Sequence, residues 1–180
     1  MKIRQATLKD ADAILHLINI HAEMEQMLFR TREDVRAHIR DFLVAAEDGR
    51  VTAACGLSFG SGSLVEIRSL AVLPEYYRQG IGTALVNECI ARATLAECER
   101  IFVLTYAIPL FEKLGFRIID MDQLPDKIWK DCQGCRKQDH CDETAMIRNL
   151  VQVARPSGGA GQGPKQISNP ELCRGIVESH

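Results

Sequence analysis

The segment that most constrains the fold of this chain is an apolar run that leads, through a proline and two glycines, into a helical pattern. Leu70–Leu73 suits a buried strand, and Pro74 ends it. Apolar residues then recur at helical spacing from Ile81, so a helix is expected to begin near Gly80. Glycine lets backbone amides approach an anion, and a helix start supplies unpaired amides and a positive dipole end. The segment predicts a diphosphate cradle reinforced by Arg78, although the same turn is also typical of a plain connection into a helix.

Length, charge and cysteine content favour one domain that acts on small molecules. The chain has 180 residues, of which 46% are hydrophobic, and a net charge of −2, which gives no reason to expect nucleic acid or an acidic membrane as partner. No apolar stretch suits a membrane span, and residues 1–5 lack the apolar core of a signal peptide. Three of the seven cysteines, Cys55, Cys89 and Cys98, lie in apolar patterns, so we expect reduced thiols and a cytoplasmic protein. Whether the protein forms a homodimer stays open.

Strand and helix patterns alternate along residues 1–150. The expected elements are a strand at 2–6, a helix after Thr7, a second helix from Thr31 to Leu43, a hairpin turned at Asp48-Gly49, a strand at 64–72, a helix at 81–96, a strand at 100–105, a helix at 110–114, and strands at 116–120 and 145–150. A strand–helix–strand unit normally runs parallel, so strand 100–105 should lie beside strand 64–72. We expect one domain at 1–150, with a cysteine-containing loop at 121–144, and a mobile tail at 151–180 that contains Gly, Pro and Ser.

Two segments in this order carry a resemblance to a known superfamily. Residues 70–85 and Leu110–Phe116 (Leu-Phe-Glu-Lys-Leu-Gly-Phe) resemble the GCN5-related N-acetyltransferases, and the resemblance covers about residues 1–150. It implies an α/β fold with a mixed central sheet, splayed fourth and fifth strands, and flanking helices. It also implies acetyl-coenzyme A (acetyl-CoA) as co-substrate, with the diphosphate in a turn of the pattern Gln/Arg-x-x-Gly-x-Gly/Ala. Gly80 and Gly82 fit that pattern, whereas Tyr77 stands where Gln or Arg is usual.

The resemblance implies a set of residues that bind the co-substrate through the strand end and the turn. In that superfamily the acetyl-pantetheine arm lies between the splayed strands, and an N–H group of Leu70 or Val72 would hold the acetyl oxygen. The implied co-substrate residues are Leu70, Ala71, Val72, Arg78, Gln79, Gly80, Ile81, Gly82 and Thr83.

Four segments carry a narrower resemblance, to the acetyltransferase domain of N-acetylglutamate synthase: residues 27–30, residues 66–72, residues 102–105 with 111–116, and residues 122–125. The chain is similar to the short, free-standing form, which lacks the arginine-sensing kinase-like domain. This implies acetylation of the α-amine of L-glutamate, in arginine biosynthesis. Acetylation of another amine, of a polyamine or of a protein N-terminus stays open, as do a catalytically silent acyl-CoA sensor and a metal-stabilised interaction module.

The reaction needs a base, because the amine of an amino acid arrives protonated. Glu66 lies on the fourth strand, four residues before Leu70, where members of the superfamily often place a general base. The alternative is a strand carboxylate paired with Arg68 on the same face. The tyrosine acid of many members is replaced here by Phe111, so the proton for the departing thiolate would come from Tyr106 or from water. Tyr106 is also typical of a ring at the edge of a core.

A glutamate acceptor carries two carboxylates, which calls for cations in its pocket. Arg30 lies in the loop that closes over the acceptor in the superfamily and is the first choice. Arg68 and Lys127 are second choices, and Thr105, at the end of the fifth strand, completes the expected set. Each cation is alternatively a solvated surface group.

A cluster of cysteines follows the expected domain core. Cys132 and Cys135 form a Cys-x-x-Cys pair, and Cys141 follows directly after His140. The pair suits one half of a tetrahedral zinc site, but adjacent ligands in the other half would strain it. The cluster therefore predicts either a zinc site at Cys132, Cys135 and Cys141 or a loop of free thiols packed over the substrate end.

Overall fold

A computed structural model describes residues 1–59, 63–124 and 141–150. Its elements are β1 Lys2–Gln5, α1 Ala11–Glu23, α2 Arg32–Ala37, β2 Phe42–Glu47, β3 Arg50–Phe59, β4 Leu64–Val72, α3 Ile81–Leu95, β5 Arg100–Thr105, α4 Ile108–Lys113, β6 Arg117–Ile118 and β7 Thr144–Asn149. The strands form one seven-stranded sheet in the order β1-β2-β3-β4-β5-β7-β6. Among the described strands only β4 and β5 pair in parallel, as the sequence predicts for the two strands that α3 connects. The expectation of an α/β fold with a mixed central sheet is confirmed.

Side-chain caps begin the first two helical segments, as predicted. The Asp10 carboxylate accepts hydrogen bonds from the Thr7 backbone N–H and hydroxyl, both at 2.8 Å. The Thr31 hydroxyl accepts a hydrogen bond from the Asp34 N–H at 3.0 Å, which starts α2. These bonds satisfy amides that a helix start otherwise leaves without partners.

The second helix ends earlier than predicted. It stops at Ala37, a short turn follows at Ile39–Asp41, and Phe42 and Leu43 begin β2. The prediction of a helix through Leu43 is therefore wrong. Phe42 packs among residues of α1, whereas Leu43 packs among residues of α3, so successive side chains are buried on opposite faces of the sheet. A strand covered on both faces has no polar positions, and its apolar run looks like the buried side of a helix.

The hairpin between β2 and β3 turns where it was expected. Asp48 and Gly49 both have positive φ, +48° and +82°. This is the conformation of a two-residue turn whose twist matches the flanking strands, and Asp-Gly is among the residue pairs that adopt it most readily.

Three apolar clusters fix the helices on the sheet. One face of the sheet carries α1 and α2 over Phe42, Val44, Ala54 and Ala71. The opposite face carries α3 and α4 over Leu43, Cys55, Val65 and Ile67. A third cluster joins Leu64 and Phe102 to the segment 119–124 and to β7.

The thiols of Cys55 and Cys89 lie inside the core. Their Sγ atoms are 3.6 Å apart and both residues are buried. The hydrogen bond with Cys89 raises the pKa of the Cys55 thiol well above its usual range, and burial adds to this effect. Both cysteines therefore serve as buried packing groups of the core.

Several predictions made from the sequence concern residues that the structure does not describe. These are Lys127, Cys132, Cys135, most of the loop at 121–144, and the tail at 151–180. Next to the loop, the strand expected at 116–120 is shorter: β6 covers only Arg117–Ile118, and a helical turn follows at Met121–Gln123. Among the residues described, no helix is long and apolar enough to cross a membrane.

Candidate active site

A gap opens between β4 and β5 at the middle of the sheet. The two strands are paired from Leu64 opposite Arg100 to Ile67 opposite Val103, and the pairing ends there although β4 continues to Val72. The backbone groups of β4 beyond Ile67 therefore have no β5 partner on that edge. The expected splay of the fourth and fifth strands is present.

A bulge in β4 marks the point of separation. Ala71 pairs with Ala54 of β3 and Arg68 pairs with Gly56, so Ser69 and Leu70 together face the single residue Cys55. Ser69 has φ +51°, the left-handed conformation that side-chain-bearing residues rarely adopt. A bulge bends its strand and increases the local twist, which directs the end of β4 away from β5. This bulge was not among the features predicted from the sequence.

One edge of β4 after the bulge directs backbone amides into the gap. The Leu73 N–H donates to the Thr52 carbonyl of β3 at 2.9 Å. Because successive amides of a strand point to opposite edges, the Val72 N–H points toward the gap. The Leu70 N–H, two residues earlier, points to the same edge. The two amides that the resemblance proposed for the acetyl oxygen therefore line the gap.

The turn after β4 has the geometry of an anion cradle. Arg78 and Gly80 have φ of +62° and +79°, and α3 begins at Ile81. The first hydrogen bond inside the helix runs from the Ala84 N–H to the Gly80 carbonyl at 3.0 Å, so the amides of Ile81, Gly82 and Thr83 have no acceptor within the helix. The first turn of α3 carries no acidic side chain. Both the helix dipole and these amides therefore favour a negatively charged group.

The side chains around this cradle are mostly open to solvent. Arg78 and Gln79 are exposed, and the Gln79 side-chain amide donates to the Glu75 carbonyl at 3.1 Å. Gly82 packs at ordinary contact distance: a Cβ there would lie 3.9 Å from Val72 and from Leu110.

Two arginines lie together on the α1–α2 face of the sheet near the bulge. Arg30 contacts the Ser69 hydroxyl, with Nε 3.4 Å from Oγ, and forms an ion pair with Asp34 at 2.9 Å. Arg68 forms an ion pair with Asp41 at 3.3 Å. Both arginine side chains are largely buried, 15% and 13% exposed. Arg30 and Arg68 are therefore built into the site rather than solvated on the surface.

The carboxylates of this cluster respond to both arginines. For Asp34, burial raises the pKa, but the hydrogen bond and charge of Arg30, with His38 and Arg68, outweigh it and lower the pKa. For Asp41, burial is the largest influence and raises the pKa despite Arg68, His38 and Arg30. Because each carboxylate responds to both guanidinium groups, the cluster forms one electrostatic unit.

Glu66 lies on the same face as these arginines. Side chains alternate along β4 before the bulge, so Leu64, Glu66 and Arg68 project to one side. Glu66 pairs with Ser58 of β3 and Phe102 of β5 and is partly buried. The pairing of β4 with β5 ends one residue after Glu66, at Ile67. A partly buried carboxylate at this position, on the same face as the two arginines, could accept a proton from an amine bound at the gap.

The end of β5 carries the two other predicted side chains. The Thr105 hydroxyl is buried and accepts a hydrogen bond from the Ala107 N–H at 2.9 Å, so it shapes the turn into α4. The Tyr106 hydroxyl donates to the Asp142 carboxylate, and the Tyr106 ring is partly exposed. Thr105 therefore has a structural hydrogen bond, and Tyr106 reaches the segment that precedes β7.

The zinc prediction concerns mainly residues that are not described. Of its three proposed ligands only Cys141 is described, and it is exposed. Within residues 1–59, 63–124 and 141–150, no group of three or more His, Cys, Asp or Glu side chains is arranged to hold a metal.

The structure adds four residues to the candidate site that were not predicted from the sequence. Asp34 holds Arg30, and Asp41 holds Arg68. Gly56 makes room for Arg68, because a Cβ on Gly56 would lie 3.0 Å from Arg68 Cγ and 3.1 Å from its carbonyl oxygen. Ser69 supplies the bulge and the hydroxyl that contacts Arg30. A glycine inside an otherwise apolar strand was the one visible signal, since it indicates close approach of another chain segment.

Comparisons with known proteins agree with this geometry. The pattern of the Acetyltransferase (GNAT) family matches residues 8–116. An uncharacterized N-acetyltransferase of Chlorobaculum tepidum is 42% identical over 150 residues, which are 82% of this chain and 96% of that relative. An amino-acid acetyltransferase of Pasteurella multocida is 30% identical over 159 residues, which are 87% of this chain and 34% of that relative. The chain therefore spans only part of the second relative's length.

A solved structure has the same architecture. The N-acetylglutamate synthase of Neisseria gonorrhoeae, complexed with coenzyme A and N-acetyl-glutamate, matches with a TM-score of 0.75 and 29% identity. The match covers 83% of this chain and 35% of the synthase chain. The resemblance to the superfamily and to the synthase type is therefore confirmed. With its family pattern, its splayed β4 and β5 and its glycine turn before α3, the chain belongs to the acetyltransferase (GNAT) family.

Proposed function

We propose that this protein transfers the acetyl group of acetyl-CoA to the α-amine of an amino acid, and that the amino acid is L-glutamate. The observation that carries the proposal is the pair of largely buried arginines, Arg30 and Arg68, near the bulge where the gap opens and on the same face of the sheet as Glu66. A guanidinium group carries five N–H donors in a planar fork, and this geometry matches the planar carboxylates of an amino acid.

The proposed donor site uses the gap and the cradle together. The diphosphate of acetyl-CoA binds to the amides at the start of α3, with Arg78 and Gln79 beside it. The pantetheine arm then extends along the free edge of β4, and Leu70, Ala71 and Val72 line its path. Support comes from the synthase of Neisseria gonorrhoeae, which was solved with coenzyme A.

The proposed reaction is a direct attack without a covalent enzyme intermediate. Glu66 accepts a proton from the ammonium group, directly or through water, and the neutral nitrogen attacks the thioester carbonyl. The N–H of Val72 or Leu70 stabilises the negative charge that develops on the carbonyl oxygen. A C–N bond forms and the C–S bond breaks, and the nitrogen releases its second proton to water to give the amide. The thiolate of coenzyme A then takes a proton from Tyr106 or from water.

Tyr106 could serve as the acid only after a rearrangement. The Tyr106 hydroxyl donates a hydrogen bond to the Asp142 carboxylate, and Asp142 lies just before β7 begins at Thr144. Donation to the thiolate would require that hydrogen bond to break, and the resulting phenolate beside a carboxylate would be poorly stabilised. We therefore favour water as the proton source and keep Tyr106 as the alternative.

The proposed acceptor site lies on the α1–α2 face. Arg30 binds one carboxylate of glutamate, and Arg68 binds the other. Thr105 and Lys127 remain proposed contributors: the oxygen of the Thr105 hydroxyl already accepts one bond but its proton can be donated, and Lys127 lies outside the residues described. The similarity to amino-acid acetyltransferases supports an amino-acid acceptor.

A second candidate acceptor is an amino acid with a single carboxylate. Asp34 and Asp41 neutralise much of the positive charge of Arg30 and Arg68. A dicarboxylate therefore meets a weaker positive potential than two unpaired arginines would provide. This charge balance favours, as the second candidate, an acceptor amino acid whose side chain is an amide or another uncharged group.

Arginine biosynthesis and a cytoplasmic location belong to the same proposal. The first follows from L-glutamate as acceptor and from the resemblance to the synthase. The second is supported by Cys55 and Cys89, which lie in the core as thiols with their Sγ atoms 3.6 Å apart, as is usual for proteins of reducing compartments.

The test is thiol release from acetyl-CoA by the purified protein, assayed against each amino acid, simple polyamines and a peptide N-terminus. The highest kcat/KM with glutamate supports the proposal. Turnover confined to polyamines or peptides contradicts it, and coenzyme A binding without turnover on any acceptor indicates a sensor instead.

A further inference from the structure

The residue at which this chain departs from the family pattern has a specific partner. Tyr77 replaces the usual Gln or Arg of the cradle, and its hydroxyl lies 3.1 Å from Nε2 of His21. The two rings meet edge to face, with centroids 6.3 Å apart and planes at 64°. His21 lies in the last turn of α1 and is only 6% exposed. The cradle is therefore bonded to a helix on the face of the sheet opposite α3.

The hydrogen-bond network fixes the direction of this bond. His21 Nδ1 lies 2.9 Å from the Leu17 carbonyl oxygen, which can only accept, so Nδ1 carries a proton. In a neutral imidazole Nε2 is then an acceptor, and the Tyr77 hydroxyl donates to it. Tyr77 thus uses its hydroxyl proton on α1, and its contact is with the protein rather than with an anion in the turn.

The turn needs such a contact because its backbone is strained. Arg78, directly after Tyr77, has φ +62°, and a residue with a side chain adopts that conformation only when its surroundings hold it there. Leu73 fixes one end of the turn in the cluster beneath α1 and α2, and Ile81, the first residue of α3, fixes the other end in the cluster on the opposite face. Between these ends, the Tyr77 hydroxyl supplies a bond from the turn to α1.

We propose that Tyr77 is a positioning residue, and that its hydrogen bond to His21 holds the backbone of residues 77–80 so that the amides at the start of α3 face the diphosphate of the coenzyme. In this chain a fixed backbone thereby takes over from the side-chain contact of the usual Gln or Arg. The inference rests on the proposed donor, acetyl-CoA, and is independent of the acceptor.

Calorimetric titration with coenzyme A tests the inference, because it requires no acceptor and reports binding rather than turnover. Tyr77→Phe keeps the ring and removes the hydroxyl, and His21→Phe removes the acceptor from the other side. Each variant should raise the Kd for coenzyme A about fivefold, as expected for the loss of one neutral hydrogen bond. The double variant should show no further increase. Tyr76→Phe, the same chemical change at the neighbouring residue, should leave the Kd unchanged.

The outcomes separate the possible explanations. An unchanged Kd in Tyr77→Phe overturns the inference, as does an equal rise in Tyr76→Phe. A rise in Tyr77→Phe together with an unchanged Kd in His21→Phe also overturns it, because Tyr77 would then touch the coenzyme directly. A wild-type protein that does not bind coenzyme A overturns both the proposed donor and the inference. A wild type that binds, with a Tyr77→Phe variant that binds equally well, overturns the inference alone.

Discussion

At the scale of single residues, Asp10 joins the first strand to the first helix through a network of bonds to its buried carboxylate. Arg4 donates to both carboxylate oxygens at 2.8 Å, and Thr7 donates through its N–H and hydroxyl. The hydrogen bonds of Arg4, followed by those of Thr7, hold the pKa of Asp10 well below its usual range although burial opposes this. The charged form of Asp10 therefore contributes to the stability of the fold.

We predict that Asp10→Asn lowers the free energy of unfolding by about 2 kcal/mol at pH 7. Because the pKa of Asp10 is lower in the folded state, its contribution is fully present above about pH 4 and is lost as the pH falls through the folded value. Urea unfolding of both proteins between pH 3 and pH 7 measures this difference.

The control is Asp12→Asn, which removes a carboxylate from an exposed ion pair with Arg32. It should change the free energy of unfolding by less than about 0.5 kcal/mol. If both variants lose the same stability, or if the difference between wild type and Asp10→Asn does not shrink in acid, the assigned role of Asp10 is wrong.

Glu66 carries the chemical prediction at this scale. Glu66→Gln should lower kcat about 100-fold and leave the Kd for coenzyme A unchanged, because a general base contributes to proton transfer and not to coenzyme binding. The acidic limb of the pH–rate profile should be absent in Glu66→Gln. Glu88→Gln, on the exposed side of α3 where Glu88 pairs with Arg92, should retain wild-type rates. A pH–rate profile that is the same in Glu66→Gln as in wild type excludes Glu66 as the base.

At the scale of elements, the β4–α3 unit was the part of the fold most visible in the sequence. Its strand, its glycine turn and the start of its helix were all predicted from local signals. These signals are a proline, a glycine and the change from a continuous apolar run to apolar residues at helical spacing. The bulge at Ser69 was not predicted, because it depends on how β4 pairs with β3. The prediction that the second helix includes Phe42 was wrong for a related reason, because only the tertiary structure shows that both faces of β2 are covered.

The two glycines of the turn should respond differently to alanine. Gly80 has φ +79°, and a Cβ added there would meet no atom within 4 Å. Gly80→Ala therefore strains the backbone without a clash, and it should lower the free energy of unfolding by about 1 kcal/mol. It should also raise the Kd for coenzyme A about tenfold, because relief of the strain moves the amides of the cradle. Calorimetry and thermal unfolding measure both effects.

Gly82→Ala is the matched control within α3. A methyl group there meets Val72 and Leu110 at 3.9 Å, an ordinary contact, and alanine favours a helix over glycine. This variant should bind coenzyme A within about twofold of wild type and unfold at an equal or higher temperature. Equal losses of coenzyme binding in the two variants would contradict the special role of the backbone at Gly80.

At the scale of the whole molecule, the proposed donor and acceptor sites lie on different parts of the sheet. The cradle lies at the start of α3, whereas the arginine cluster lies on the α1–α2 face and is assembled from segments far apart in sequence. This difference explains why the sequence predicted the donor site better than the acceptor site. A local motif indicated the donor, but Arg30 and Arg68 could be named only from resemblance, and their partners Asp34 and Asp41 appeared only in the structure.

Arg30 should distinguish acceptors by charge. We predict that Arg30→Ala raises the KM for glutamate at least tenfold with a smaller change in kcat, because a carboxylate contact made in both ground and transition states contributes uniform binding. The KM for an uncharged amine should not change. Arg32→Ala, which removes a mostly exposed arginine two residues away, should behave as wild type. An equal effect of Arg30→Ala on charged and uncharged acceptors would argue against carboxylate recognition.

A competition experiment tests the central claim most directly. The protein is incubated with acetyl-CoA that carries a labelled acetyl group and with an equimolar mixture of the amino acids and simple polyamines, and the labelled products are identified by mass spectrometry. Because product ratios in a mixture report the ratios of kcat/KM, the acceptor is read from one sample. We predict that labelled N-acetylglutamate is the dominant product. A dominant acetylated polyamine, or label spread evenly over all acceptors, would contradict the assignment.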